Sequence, residues 1–161
     1  MKATIAKQWL LGIGICLSMV SCDSDRVFER NDDFENRIWA AEDTHTFLFT
    51  IDDAQTDYEV SLNVRNSLIY PYQNLYTTIS IEDSTGTEIY QTLKNTSLFD
   101  EKTGEPLGSG LGDIFDHQSV VVSGLRFPHT GTYTAFVTQA MRMDSLPEIM
   151  SVGIRVAKME K

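Results

Sequence analysis

Apolar side chains recur at every second residue in this chain, and that spacing decides its fold class. Tyr58, Val60, Leu62 and Val64 alternate with Glu59, Ser61, Asn63 and Arg65, and Phe47, Phe49 and Ile51 alternate before them. A strand sends successive side chains to opposite faces, so this period marks extended segments with one face buried and one in water. Leu75, Thr77, Ile79 and Ile81 repeat the pattern, Ser84-Thr85-Gly86 turns the chain, and Ile89 to Leu93 returns, which predicts a hairpin over 75–93. Val120 with Val122, then Tyr133, Ala135 and Val137, then Val152, Ile154 and Val156 complete about seven strands. After residue 21 no segment sustains an i, i+3, i+4 apolar stripe over three turns. The expected fold is therefore all-β, an antiparallel β-sandwich of immunoglobulin-like or jelly-roll-like type, with a single domain over 37–161. Phe127-Pro128-His129-Thr130-Gly131-Thr132-Tyr133 sets a tyrosine at a strand start behind a turn. Two readings stand: a tyrosine corner, its hydroxyl bonded to backbone a few residues upstream, or a plain buried tyrosine on an edge strand.

The amino-terminal residues carry an address. Lys2 and Lys7 precede an apolar run from Trp9 to Val20, and Met19-Val20-Ser21-Cys22 reads as a lipobox, so residues 1–21 are expected to be a lipoprotein signal peptide and Cys22 the lipidated first residue of the mature chain. A membrane span takes about 20 apolar residues, and Asp23, Asp25 and Arg26 end this run too early. Two or more acyl chains on Cys22 anchor firmly where one would not. Residues 22–36 are expected to be the lipidated cysteine and an acidic tether, to which Val27, Phe28 and Phe34 add at most a short strand. Loss of Lys2 and Lys7 with the leader takes the formal charge from −10 to −12. Such a chain has no basic stripe for phosphates, which excludes a nucleic-acid partner. Only Cys22 of the two cysteines would remain, so stability must come from the core and not from a disulfide.

Chemistry is sparse. The connection from Leu98 to Gln118 is long, rich in glycine and acid, and loops of that length usually carry function. Gly108-Ser109-Gly110-Leu111-Gly112 is not a phosphate cradle, since no strand-to-helix step and no Lys-Ser or Lys-Thr follows it. Asp113, Asp116 and His117 are weak candidates for metal ligands by residue type, but they lack further partners in sequence and no EF-hand spacing occurs. More plainly, they are solvated turn residues, with Ile114 and Phe115 pinning the loop to the core. No Gly-x-Ser-x-Gly elbow is present, and His45, His117 and His129 fall at strand ends or loops, so no catalytic residue and no cofactor is assigned. Tyr70-Pro71-Tyr72 opens the richest aromatic cluster, which would either cover one end of the core or present rings to a partner. Trp39 has the same two readings. Met141 to Pro147 leaves the penultimate strand and is expected to cross between sheets.

Val64-Arg65-Asn66-Ser67-Leu68 with Tyr70-Pro71-Tyr72 and Asn74-Leu75-Tyr76, then Phe99-Asp100, Lys102-Thr103-Gly104 and the run Pro106 to His117, resemble the gliding-motility-associated lipoprotein GldH family of Bacteroidetes. Met141-Arg142, Leu146-Pro147 and Val152-Gly153 fit the same pattern. The chain departs from it after the Leu-Pro pair, where a glycine is usual and Glu148 stands. The resemblance implies a non-enzymatic lipoprotein of the cell envelope that supports the gliding apparatus, or a wider envelope machinery, through contacts with other envelope proteins. Candidate partner-binding residues are Tyr70, Tyr72, Leu111 and Phe115. The expected location is the periplasmic face of the outer membrane, with the cell surface as the alternative. Two other functions stand beside this one: a glycan-binding surface lipoprotein using Trp39 and the same tyrosines, and a metal-dependent hydrolase using Asp113, Asp116 and His117.

Overall fold

The computed structural model describes residues 24–159. These form eleven strands and no helix: β1 Arg26–Asp33, β2 Ile38–Ala40, β3 Thr44–Ile51, β4 Tyr58–Ser67, β5 Asn74–Asp83, β6 Glu88–Ser97, β7 Ser109–Leu111, β8 Ile114–Leu125, β9 Gly131–Gln139, β10 Ser145–Pro147 and β11 Ile149–Lys158. The sandwich is as expected, all antiparallel, but with eleven strands in place of about seven. One sheet runs β1-β11-β4-β8-β7 and faces a second, β3-β9-β5-β6; β10 and β2 pair at one end. Seven strands are those that the alternation marks. The four others are too short, or too polar, for a period of two to register.

Strand β1 lies in the stretch expected to be an acidic tether. It pairs with β11 from Arg26 against Ala157 to Asp33 against Ser151. Its acids concealed it because it is an edge strand, where charged side chains are normal, yet Phe28 turns inward to Phe49 at 5.8 Å between ring centroids. Gly153 lets β1 lie flat on β11, since a Cβ there would meet Asn31 Oδ1 at 1.8 Å.

The core is filled by the inward set of each strand. Phe127 sits at its centre, 4.7 Å from Tyr133, 5.2 Å from Tyr58 and 5.9 Å from Phe49. The Tyr133 hydroxyl donates to the His129 carbonyl at 2.7 Å, so the tyrosine-corner reading of Phe127–Tyr133 holds. The 75–93 hairpin is present as β5 and β6, its turn held by Asp83 Oδ1, which accepts from the Thr85 and Thr87 amides. Residues 140–147 cross from the second sheet through β10 to β11 in the first, as their sequence suggests.

Register gives the molecule two distinct ends. Arg26 opposes Ala157, Tyr58 opposes Lys158 and Leu125, and Ile51 opposes Gly131. That near end is where the chain enters the fold. At the far end Asp33 opposes Ser151, Ser67 opposes Ile114, and Asn74 opposes Ser97. Ten-residue strands such as β4 span about 33 Å between them. Side chains stitch the open seams of the sandwich: Lys94 Nζ donates to the Val120 carbonyl at 2.6 Å and Arg30 to the Thr46 carbonyl at 2.5 Å. Both cap edge acceptors that would otherwise attract a foreign strand.

Candidate surface at the far end

The far end is built from three connections. Residues 68–73 join β4 to β5, residues 98–113 carry the chain to the β7–β8 hairpin, and residues 140–144 start the crossing to β10. The first two are tied together, since the Leu68 amide donates to the Asp113 carbonyl at 2.7 Å. The hairpin depends on glycine. Gly112 has φ +71, the left-handed region that glycine enters without strain, and a Cβ on Gly110 would meet the Ile114 carbonyl oxygen at 2.1 Å and the Phe115 ring at 2.6 Å.

Tyr70 and Tyr72 divide between the two roles weighed for them. Tyr70 is 5% exposed, its hydroxyl donates to the Asn74 carbonyl at 3.0 Å, and burial pushes its pKa well up. It closes the end of the core. Tyr72 stacks edge-on against it at 5.6 Å, is half-buried, and directs its hydroxyl at the Met143 sulfur. It forms a ridge between two hollows. One, of about 640 Å³, is mainly apolar and lined by Tyr72, Tyr76, Leu93, Met141 and Met143. The other, of about 340 Å³, lies between Leu68, Tyr72 and Phe99.

Leu111 stands 92% exposed beside the hairpin turn, and Phe115 is half-buried beneath it against Gly110. Ile69, 72% exposed, and Leu68 are at the same end, and so are the exposed Ile38 on β2 and Met143. Sequence reasoning missed Ile69 and Leu68, although the apolar pair directly before Tyr70-Pro71 was a signal. An apolar pair in a turn has no core face to explain it. Charged residues of both signs are exposed at this end, among them Glu101, Glu105, Asp113 and Asp144 with Lys102 and Arg142.

The three metal candidates are not brought together. Asp116 and His117 are consecutive on β8 and so point to opposite faces. The Asp116 carboxylate accepts from Arg65 Nε at 2.7 Å and Nη2 at 3.2 Å on the outer face, whereas His117 faces inward. Asp113 sits in the hairpin turn. Among the described residues no group of three or more His, Cys, Asp or Glu is placed to hold a metal. The remaining histidines have structural surroundings: His45 packs edge-on against Phe34 and Trp39 and meets Asp32 at 3.2 Å, and His129 belongs to the tyrosine corner. Trp39 is fully buried with its indole N–H on the Asp43 carbonyl, so it has no face to offer a sugar.

Residues 26–156 match the model of the GldH lipoprotein family. The chain is 29% identical over 145 residues to a gliding motility lipoprotein GldH homolog of Christiangramia forsetii, covering 86% of this chain and 87% of that one. It is 26% identical over 145 residues to the gliding motility lipoprotein GldH of Flavobacterium johnsoniae, covering 86% and 88%. Among solved structures it is similar to the infectious bursal disease virus VP2 subviral particle, with TM-score 0.43 and 16% identity over 83% of this chain and 32% of that one.

Proposed function

Because this chain belongs to the GldH lipoprotein family, we propose that it is an envelope lipoprotein, anchored through Cys22 after removal of residues 1–21, that supports gliding or a related envelope machinery by binding another envelope protein at its far end. It acts without catalysis. The observation that carries this reading is polarity: the chain enters the fold at one end, and Leu68, Ile69, Leu111, Tyr72 and Met143 gather at the other. Apolar side chains concentrated in this way mark interaction surfaces, and aromatic and methionine side chains are common anchors in them. With −12 on the mature chain, the partner that fits presents an apolar recess on a basic surface. The periplasmic face of the outer membrane is our first choice of location, with the cell surface second.

Crosslinking of affinity-tagged protein in cells tests this. Wild type is expected to recover a defined envelope protein, and a Leu111→Ala, Ile69→Ser, Tyr72→Ala variant that still folds is expected to lose it. Undiminished recovery would move the surface elsewhere. Cys22→Ser is expected to leave the membrane fraction, and its retention there would overturn the anchor.

A further inference from the structure

Between the two ends, the outer face of the β3-β9-β5-β6 sheet runs the length of the molecule and has no role in the partner-binding reading. It meets that reading only at Tyr76 and Leu93, which line the larger far-end hollow. Along β3 and β9 every outward side chain is threonine except Leu48, 59% exposed, and Phe136, half-buried. Strands β5 and β6 continue the face with Thr78, Ser80, Gln91 and Leu93, and carry its only outward charges, Glu82 and Glu88, side by side next to the hairpin turn. The outer face of the other sheet is the reverse: Glu29 stands beside Arg155, and Arg65 beside Asp116.

A chain with a formal charge of −10 repels its own copies, and a two-fold contact sets a surface against itself, so such a contact is favoured where the surface carries no charge. Burying the ion pairs of the opposite face would first strip them of water. Register supplies the fit. The midline of the uncharged sheet runs between β9 and β5, where Phe136 opposes Ser80 and Thr138 opposes Thr78. A two-fold axis along that midline lays β9 of one copy over β5 of the other, so each Phe136 ring meets Ser80 of the second copy and each Thr138 meets Thr78. Large lies on small twice, and hydroxyls that both donate and accept meet one another. Four strands about 4.8 Å apart, each eight residues long at about 3.3 Å per residue, give a face of roughly 500 Å², so a pair buries about 1,000 Å², the lower bound for a specific interface.

We propose that this face binds a second copy of the chain, back to back about a two-fold axis parallel to the strands. Both chain entries then lie at one end and both far-end patches at the other, an arrangement that suits two copies held by one bilayer. The contact itself requires neither the anchor nor the far-end patch. To test it, the full-length protein with one introduced cysteine is treated in intact cells with a short, permeable thiol-to-thiol crosslinker. Thr138→Cys is expected to give a dimer above the wild-type background, and Gln118→Cys, on the outer face of the other sheet, is expected to give none. Adding Ser80→Lys, which sets like charges across the axis and fills the space for Phe136, is expected to cut the Thr138→Cys dimer about tenfold. Should that variant fail to fold, Thr78→Lys serves the same comparison. No dimer from Thr138→Cys, an equal dimer from Gln118→Cys, a dimer that the added lysine leaves unchanged, or crosslinking of position 138 to a different protein would each overturn the proposal. Leu111→Ala is expected to leave the dimer intact while losing partner recovery, so the two surfaces fail separately.

Discussion

Glu148 shows how much one residue can hold against local cost. Its φ of +65 lies in the left-handed region, which disfavours any side chain with a Cβ by about 1–2 kcal/mol. Hydrogen bonds hold it there: its amide donates to the Arg37 carbonyl at 2.7 Å, and its own carbonyl accepts from Ser67 at 3.1 Å. The Arg37 guanidinium is 3.7 Å from its carboxylate, a weak surface pairing. Glu148→Gly is therefore expected to raise stability by about 1 kcal/mol in urea denaturation, with an unchanged slope. His117 makes the opposite case. Its folded-state pKa lies below the ordinary 6.5, so the native state binds fewer protons than the unfolded chain just below that value. The stability that the neutral ring contributes is intact above pH 6.5 and declines as pH falls through the folded-state value. Urea midpoints measured downward from pH 7.5 are expected to fall more steeply for wild type than for His117→Gln. Parallel curves would show that the ring is not buried as described.

At the level of elements, the same hydrogen bonds that define the fold also give it measurable weak points. Tyr133→Phe keeps the ring in the aromatic cluster and removes only the hydroxyl that donates to the His129 carbonyl and accepts from the His129 amide, so it is expected to cost about 1 kcal/mol without changing the strands seen by circular dichroism. Gly110→Val is expected to cost more, because its Cβ would strike the Ile114 carbonyl, a backbone atom that cannot rotate away. Leu111→Ala, one residue on, is expected to leave the melting curve within about 0.5 kcal/mol, since the side chain rests in water. A large loss there would count against its role as a free contact. These contrasts also show why alternation found some strands and not others. Among the seven that it found, β3, β5 and β9 alternate cleanly between buried and more exposed side chains, and β6 does so between half-buried and exposed ones. Strand β7 buries none and is held by glycines, β2 and β10 are three residues each, and β1 carries its burial in Phe28 among charges. The same logic divides the site residues: Leu111 and Tyr72 stand at the surface, whereas Tyr70 and Trp39 have identical composition signals and are core, because only the closing of one strand end on another decides which ring is covered.

Across the whole molecule the consequence is direction. Four peptide steps separate Cys22 from Arg26, which limits their span to about 14 Å, and Arg26 lies at the near end. With strands of about 33 Å above it, the proposed anchor at Cys22 would hold the near end against the bilayer and stand the apolar patch away from it. This orientation separates a protein-docking patch from a membrane-seeking one, which would have to face the lipid. On the proposed processing Cys22 is the only cysteine of the mature chain and lipid occupies its sulfur, so a cysteine introduced elsewhere takes a spin label uniquely. In lipidated protein reconstituted into vesicles, a label at Thr85→Cys in the near-end turn is expected to sense a lipid-bound relaxation agent, and one at Leu111→Cys is expected to sense it at least several-fold less. If position 111 responds as strongly as position 85, the sandwich lies on its side, and the exposed leucines and isoleucine contact lipid in place of a partner.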